Sequence, residues 1–279
     1  MKNDIIKINN LNYKDVFNEF SINIKQDKLV TISGPNNCGK TTLIRLLSRQ
    51  IKSKNAIKIL DKSLESYKIT ELNNIIQSII PKEIEFITNT IEDEFKFYLN
   101  NSQLNDKENL YKKVIKDLKL NKYKKTNPKD LDTTTLIKLQ LALSLVKLPK
   151  IVLIDSISSY LTKKEMKEIK DILKKYIEEY NLTIIMTTNN LFDTIDSNYL
   201  YIISESKIIL EGPPIEVLQK DNILNKVGLQ VPFMIDLSVK LRDYDLIQDI
   251  ELDKNRMVDT LWKWSLLMQI IRIPYLILK

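Results

Sequence analysis

Two of the four glycines in this 279-residue chain lie in one nine-residue segment, GPNNCGKTT, at residues 34–42. The segment follows an apolar run, LVTIS, and precedes TLIRLLSRQI, whose apolar residues recur at helical spacing. A strand, a glycine loop and a helix in this order form the context of a phosphate-binding loop. The feature predicts an α/β fold in which the chain turns sharply from a buried strand into a helix.

The loop has the spacing G-x-x-x-x-G-K-[ST]. Its glycines allow backbone conformations that point N–H groups at phosphate oxygens, and the start of the helix adds its positive end. In this motif the lysine contacts the β- and γ-phosphates, and the hydroxyl after it is a Mg²⁺ ligand. We therefore expect the loop to bind ATP with Mg²⁺ through Gly34, Pro35, Asn36, Asn37, Cys38, Gly39, Lys40, Thr41 and Thr42.

A second Mg²⁺ ligand beside Thr41 is predicted at Asp155, the residue that ends the apolar run IVLID. An aspartate at the end of a buried strand in such a fold can meet the metal through its water shell. Taken alone, the pattern also fits an ordinary turn at the end of a strand. Because the chain also carries a phosphate loop, the metal role is the preferred interpretation.

Further apolar runs, separated by helical patterns, predict a sheet with parallel strands. A Lys-, Asn- and Asp-rich stretch from about residue 92 to 146 is predicted to be helical, as is the chain beyond residue 214. The strands are predicted at residues 5–8, 20–24, 29–33, 56–60, 75–80, 151–154 and 182–187, with a closing hairpin at 199–203 and 207–210.

These patterns predict two domains. Residues 1–219 form an α/β P-loop NTPase domain with a mixed sheet core and a helical subdomain at about residues 88–148. Residues 220–279 form a small C-terminal helical domain. We find no internal repeat or low-complexity linker that would suggest a further boundary.

The composition limits which catalytic residues are available and indicates the cellular compartment. The chain has no histidine, the commonest general base, and one cysteine, Cys38, which excludes an intrachain disulfide and fits a reducing compartment. The net charge of +7 and pI of about 9.1 would suit nucleic acid or an anionic membrane. Because lysines are interleaved with acids throughout, we expect no nucleic-acid partner. The charged N-terminus is not a secretory signal, so we expect a cytoplasmic protein.

The end of the chain, from Trp264 to Leu278, is apolar enough to be considered as a membrane-binding segment. Packing into the C-terminal domain or a partner interface is the preferred interpretation, and lodging in a membrane surface is the second. Spanning is the third, because Arg272 and Pro274 interrupt a segment shorter than the roughly 17–25 residues that a spanning helix needs.

The motifs resemble those of an ATP-binding cassette (ABC) ATPase, and more narrowly the ATPase subunits of energy-coupling factor transporters, which import vitamins and metal ions. The resemblance covers nearly the whole chain. It rests on FSINIKQDKLVTISGPNNCGKTTLIRLL, NTIEDEFKFYLNN, and EGPPIEVLQ followed by VGLQVPFMIDLSVKLRD. It implies an ABC-type P-loop fold and a transport ATPase that holds two ATP molecules between two subunits.

The resemblance also implies partners and a location. These are a second ABC ATPase subunit, a transmembrane coupling subunit and a membrane subunit that captures the solute. For the second ATPase subunit we expect a paralogue, although a second copy stays open. The chain would lie peripherally on the cytoplasmic side of the cell membrane.

Several positions depart from the family pattern, so no catalytic residue is intact. Ser156 aligns with the catalytic glutamate and Asn189 with the switch histidine. Serine cannot polarise an attacking water as a carboxylate does. The other departures are Thr162 at the D-loop aspartate, Ile80 or a neighbour at the Gln loop, and Asp132, Thr133, Thr134 and Thr135 at the Ser-Gly-Gly-Gln of the ABC motif. Tyr13 is a candidate for the aromatic residue that stacks on the base, or a tyrosine at a strand edge.

Two other functions remain open at this stage. One is a non-hydrolysing nucleotide-binding scaffold or regulatory subunit of a membrane complex, which the degenerate motifs suit. The other is a single cassette acting in translation or DNA repair, which is weaker because the chain has neither a second phosphate loop nor a long coiled-coil insertion.

Overall fold

A computed structural model describes residues 3–83, 85–100 and 106–264. The chain divides into two compact units, Met1–Pro214 and Ile215–Lys279. The domain limits inferred above, 1–219 and 220–279, stay a prediction, as does the extent of the helical subdomain.

The first unit is built on a six-stranded mixed sheet with the strand order β10-β9-β3-β8-β7-β6. Neighbouring strands are parallel, except for the antiparallel hairpin of β9 and β10. One of the two central strands, β3, is buried along its whole length because both faces of the sheet are covered. The strands are β3 (Leu29–Ser33), β6 (Ile76–Ile79), β7 (Ile151–Asp155), β8 (Thr183–Thr188), β9 (Tyr199–Ser204) and β10 (Lys207–Gly212).

A smaller antiparallel sheet with the strand order β2-β1-β4-β5 covers part of this unit. It consists of β1 (Asp4–Tyr13), β2 (Phe17–Lys25), β4 (Ile57–Ile59) and β5 (Lys62–Ser63). The helices of the first unit are α1 (Lys40–Leu47), α2 (Ile69–Ile75), α3 (Ile91–Asn100), α4 (Lys107–Asp117), α5 (Thr133–Leu145) and α6 (Lys163–Tyr180).

The six-stranded sheet separates two hydrophobic cores. In β7, Val152 and Ile154 belong to the core that contains buried residues of α3, α4, α5 and α6. Ile151 and Leu153, which alternate with them, belong to the core formed with α1 and the antiparallel sheet. This layering holds β3, α1 and the end of β7 in place, which are the elements that form the site described below.

The predicted α/β class with a mixed sheet is confirmed, and several element bounds differ, including those of β1 and β2, which are longer than predicted. The helix after the loop ends at Leu47 instead of continuing to Ile51, because Arg49 has a positive φ of 59°. Where it is described, the predicted helical stretch contains α3, α4 and α5, and 3-10 turns at Asn121–Tyr123 and Pro128–Asp130 lie between α4 and α5. Ile75 ends a helix instead of starting a strand.

The second unit is helical where it is described. It contains α8 (Asp221–Lys226), α9 (Phe233–Asp243) and a helix at 254–264, and α7 (Pro214–Leu218) begins at its boundary. Within the described ranges, no helix is long and apolar enough to cross a membrane. Apart from Trp264, the apolar tail lies outside the described residues, and the three interpretations of it stay open.

Candidate nucleotide-binding site

The turn between β3 and α1 requires both glycines of the motif. Gly39 has a φ of 101°, and a Cβ there would lie 2.7 Å from Cζ of Phe17 and 2.8 Å from Cγ1 of Val16. A Cβ on Gly34 would lie 2.2 Å from the carbonyl oxygen of Ile203. A larger residue at either position would force the surrounding residues to shift, so the curvature of the loop depends on glycine.

The N-terminus of α1 is free of capping by its own side chains. Its N-cap residue is Gly39, which has no side chain, and the first turn contains no acidic residue. The first N–H groups of a helix have no intrahelical acceptor, and the helix dipole adds a positive potential at this end. The backbone therefore offers a site for an anion at the point where the motif predicts phosphate.

Lys40 supplies the full charge of the loop. The residue is only 8% exposed, and its Nζ donates to the carbonyl oxygens of Gly34 and Pro35, both at 2.7 Å. Cys38 Sγ lies 3.5 Å from the same nitrogen. A lysine ammonium has three donors and no acceptor. Lys40 is thus an ammonium group held against the loop, beside the backbone that curves around it.

An open pocket of ≈ 640 Å³ lies in front of the loop. Loop residues line one side and the end of β7 lines another. Sequence reasoning placed Lys40, Thr41, Asp155, Ser156 and Asn189 in one site, and all five line this pocket. Asp155 is the one carboxylate among the described residues that line it.

Asp155 is joined directly to the phosphate loop. Thr41 Oγ1 donates to Asp155 Oδ2 at 2.7 Å, and Thr187 Oγ1 from the neighbouring strand donates to Oδ1 at 2.6 Å. The carboxylate is buried and its orientation is fixed from both sides. Mg²⁺ commonly binds through one or two protein oxygens together with substrate phosphates and water. The pair Thr41 and Asp155 fits that donor set.

No acidic cluster forms a separate metal cage. Within residues 3–83, 85–100 and 106–264, no group of three or more His, Cys, Asp or Glu side chains is arranged to hold a metal ion. The two protein oxygens beside the loop, from Thr41 and Asp155, suit a metal that arrives with a phosphate ligand.

Ser156 and Asn189 both face the pocket, and neither has a carboxylate or imidazole. Ser156 has a left-handed backbone (φ 48°), and its hydroxyl donates to Asp155 Oδ1 at 3.3 Å. Asn189 Nδ2 donates to Asn36 Oδ1 in the loop at 2.9 Å. Hydroxyl and amide groups do not accept a proton from water near neutral pH. Among the described residues that line the pocket, the hydrogen-bonded Asp155 is therefore the one ordinary candidate for a general base.

The start of α5 differs from the start of α1. Asp132 is its N-cap: Oδ1 accepts the N–H of Thr135 at 2.9 Å and Oδ2 accepts the Thr135 hydroxyl at 2.8 Å. The Thr135 backbone and hydroxyl donors hold the pKa of the Asp132 carboxyl below its usual range. The Asp132 carboxylate, in the segment that resembles the ABC motif, thus caps its own helix.

The remaining departures have local structural roles. Thr162 is the N-cap of α6 and forms a capping box with Glu165. Ile80 is buried and lines the pocket with an apolar side chain. Tyr13 does not line the pocket, whereas Val16 does, and the stacking role of Tyr13 stays a prediction.

Sequence reasoning missed Val16, Arg45, Ser159 and Tyr160 as lining residues. Arg45 was available from the pattern, because it follows Thr41 by four residues on a predicted helix and must share its face. Val16 lies in the turn before β2, and Ser159 and Tyr160 lie in the 3-10 turn Ile157–Tyr160 that follows β7. No spacing rule connects these three residues to the glycine motif.

A comparison with protein-family models identifies this architecture. The family described as ABC transporter matches residues 17–159, just over half of the chain. This chain belongs to the ABC transporter family. The matched region contains the phosphate loop, Asp155, Ser156 and the start of α5, and membership of the family implies that the chain binds ATP.

Similar curated proteins cover most of this ABC chain. An energy-coupling factor transporter ATP-binding protein, EcfA1, of Mycoplasma mobile is 26% identical over 83% of this chain and 86% of its own length. EcfA1 of Enterococcus faecalis is 24% identical over 92% and 97%. The resemblance to energy-coupling factor ATPases is confirmed, and the scaffold alternative is not favoured.

Solved structures share the fold. CbiO1 from Clostridium perfringens, described as part of the ABC transporter complex CbiONQ, superposes with a TM-score of 0.68 at 23% identity, over 85% of this chain and 99% of that one. A bacterial Atm1-family ABC exporter with ATP bound gives 0.66 at 17% identity, over 88% of this chain and 43% of the exporter. The predicted ABC-type P-loop fold is confirmed.

Proposed function

We propose that this chain is the ATP-binding, ATPase subunit of an energy-coupling factor type importer for vitamins or metal ions, peripheral on the cytoplasmic side of the cell membrane. One observation carries the proposal. Thr41 in the phosphate loop is hydrogen-bonded to Asp155 at the end of β7, within a pocket whose glycine turn admits no larger residue. The similarity of nearly the whole chain to energy-coupling factor ATPases supports the transport role.

Each part of the pocket has a distinct task in holding Mg²⁺-ATP. Backbone N–H groups of residues 36–42, which include the open start of α1, would bind phosphate oxygens, and Lys40 would add its charge at the β- and γ-phosphates. Thr41 and Asp155 would orient the magnesium ion, directly or through water. When bound, the ion neutralises charge that develops on the phosphates.

The degenerate positions favour a paralogous partner. In a site formed between two ABC subunits, one chain gives the phosphate loop and base, and the other gives its ABC motif. In the site whose phosphate loop belongs to this chain, Ser156 and Asn189 provide no general base. In the site that it completes, the amides at the start of α5 face the Asp132 carboxylate. A pair of identical chains would combine both defects, so turnover would depend on a partner with an intact glutamate.

The remaining partners follow from the named relatives. The curated relatives are called energy-coupling factor transporter ATP-binding proteins, and CbiO1 is described as part of an ABC transporter complex. We therefore propose a transmembrane coupling subunit and a solute-capturing membrane subunit as partners. The identity of the solute would be set by that last subunit.

The test is isolation of the tagged full-length chain from membranes, identification of the co-purifying proteins by mass spectrometry, and an uptake assay with the isolated complex in vesicles. We expect a second ABC ATPase and membrane proteins, and ATP-driven uptake that is lost with Lys40→Ala. Lys58→Ala, which changes an exposed lysine of β4, is the matched control and should leave uptake intact. Recovery of ribosomes or DNA repair proteins without membrane proteins would overturn the proposal.

A further inference from the structure

A second basic residue lines the nucleotide pocket and is paired with an acid. Arg45 lies in α1 four residues after Thr41, so both side chains are on one face of the helix. Its guanidinium Nη2 donates to Glu83 Oε1 in an ion pair. The two side chains are 44% and 34% exposed, so water reaches the pair and weakens it.

Glu83 lies in a tight turn that also borders the pocket. The turn, Pro81–Glu83, follows β6, and it is closed by the N–H of Glu83, which donates to the carbonyl oxygen of Ile80 at 2.9 Å. Ile80 and Pro81 line the pocket directly. The Arg45–Glu83 pair therefore connects the helix that follows the phosphate loop to a turn on a separate segment of the pocket wall.

Ile87 and Thr88, which follow the turn in sequence, are held to α3 by a buried acid. Glu94 is fully buried, and its Oε2 accepts the N–H of Ile87 at 3.1 Å, and both the N–H and the hydroxyl of Thr88 at 2.8 Å. Phe95, the next residue, is packed in the hydrophobic core that contains α5 and α6. A shift of residues 87–88 would therefore be passed to the start of α3.

We propose that the Arg45–Glu83 ion pair is a charge-sensitive positioning contact, through which the phosphate charge in the pocket controls the turn Pro81–Glu83 and the attachment of α3. Negative charge in the pocket attracts the Arg45 guanidinium and repels the Glu83 carboxylate. A partly exposed pair is weak enough to rearrange in response. A triphosphate acts more strongly than a diphosphate because it carries more charge.

This inference depends on the proposed nucleotide binding and adds a regulatory element to it. Ile80, the apolar residue before the turn, has no side-chain group that could bind a phosphate or a metal. The ion pair gives this wall of the pocket a charged group that can respond to nucleotide. Arg45 and Glu83 act by positioning the turn and take no part in the chemistry of the reaction.

The test compares Glu83→Gln with Asp61→Asn in the full-length chain. Asp61→Asn removes a comparable exposed ion pair, Lys7–Asp61 (2.6 Å), on the antiparallel sheet. Calorimetry would measure the affinities for Mg²⁺-ATP and Mg²⁺-ADP, and hydrogen exchange would follow residues 85–100. Glu83→Gln frees Arg45, so we expect ATP to bind about two- to fivefold more tightly, with a smaller change for ADP. Exchange in residues 85–100 without nucleotide should approach that of the ATP-bound wild type.

Variants of Arg45 distinguish the loss of the ion pair from a general effect on folding. Arg45→Gln should lower ATP affinity by about two- to fivefold and remove the ATP-dependent change in exchange, whereas Arg45→Lys should retain most of both. The inference is overturned if Glu83→Gln leaves the ratio of ATP to ADP affinities and the exchange pattern as they are in Asp61→Asn. Loss of ATP binding in Lys40→Ala alongside that outcome would leave the proposed function standing. Unchanged binding in Lys40→Ala would overturn both.

Discussion

Two helices of this protein begin with opposite arrangements at their positive ends. At α1, the N-cap is Gly39, which leaves the first backbone N–H groups without a side-chain acceptor. At α5, the N-cap is Asp132, whose carboxylate accepts two hydrogen bonds from Thr135. Both helices have a positive potential at this end. The N-cap residue therefore decides whether the first N–H groups are open to an external anion or already bonded to a side chain of the chain itself.

The contrast separates two functions that an ABC ATPase normally combines. The open end of α1 belongs to the phosphate loop, where this chain has Lys40 and Thr41 beside Asp155 at the end of β7. The capped end of α5 lies in the segment that resembles the ABC motif, which serves the nucleotide of the opposite subunit. Under the proposed function, the chain would keep the residues that hold its own nucleotide and would lack those that cleave it or complete a second site.

The largest expected effect is a gain of hydrolysis. Ser156→Glu with Asn189→His would place a carboxylate and an imidazole in a pocket that already holds Asp155 and the loop. With a partner that carries an intact ABC motif, we expect turnover to rise about 10²- to 10⁴-fold, the usual contribution of a positioned general base. Phosphate release by the purified complex is the measurement.

The matched control is Ser156→Gln with Asn189→His, which supplies similar bulk without a carboxylate and should leave turnover low. We also expect the unmodified chain alone to bind ATP and to turn it over slowly or not at all. Fast hydrolysis by that chain would mean that a different carboxylate acts as base, and that Ser156 does not occupy the position of the glutamate.

The next effect concerns binding at the open helix end. Lys40→Ala removes the one full charge of the loop, so Mg²⁺-ATP affinity should fall by at least ~2 kcal/mol, as expected for a charge-assisted contact. Calorimetry measures the loss, with Lys58→Ala as the control of equal charge change. Wild-type affinity in Lys40→Ala would contradict the assignment of the phosphate loop.

Sequence alone predicted the parts of this site that depend on local rules. The motif from Gly34 to Thr41 fixes a strand, a turn and a helix by backbone geometry, and the apolar run before Asp155 identifies a buried strand. Two contacts could not be predicted, because they join distant segments: Asn36 with Asn189, and Arg45 with Glu83. No periodicity specifies which side chains meet across a pocket.

The capping role of Asp132 had a sequence signal that we did not use. An aspartate just before an apolar run at helical spacing is typical of a helix N-terminus. The comparison with the ABC motif instead treated Asp132 only as a departure from the family pattern. The fold and the loop therefore followed from pattern, whereas the hydrogen-bond partners of individual charges needed coordinates.

A third effect tests the glycine that opens α1. Gly39→Ala must accept a φ of 101° and place its Cβ 2.7 Å from Phe17. We expect a loss of roughly 1–3 kcal/mol in the free energy of unfolding, from backbone strain and steric overlap. Gly228→Ala is the matched control, because Gly228 also has a positive φ (75°) but a Cβ there would meet nothing within 4 Å. Equal losses in urea unfolding would show that the clash with Phe17 is negligible.

The smallest effect concerns the closed end of α5. Asp132→Ala removes the N-cap acceptor, so the free energy of unfolding should fall by about 1 kcal/mol near neutral pH. Because the hydrogen bonds from Thr135 lower the pKa of Asp132 in the folded protein, its stabilising charge is present above the unfolded pKa of about 3.9. The stabilisation from this charge is lost as pH falls through the lower pKa that Asp132 has in the folded protein.

The difference in the free energy of unfolding between wild type and Asp132→Ala should therefore be constant from about pH 7 to pH 5 and should narrow below about pH 4. Urea unfolding at these pH values measures it. Asp132→Asn, which keeps an acceptor without the charge, should lie between the two at neutral pH and approach wild type in acid. A gap that widens as pH falls would mean that the carboxylate is not held by Thr135. The N-terminus of α5 would then be open like that of α1, and the contrast between the two helices would fail.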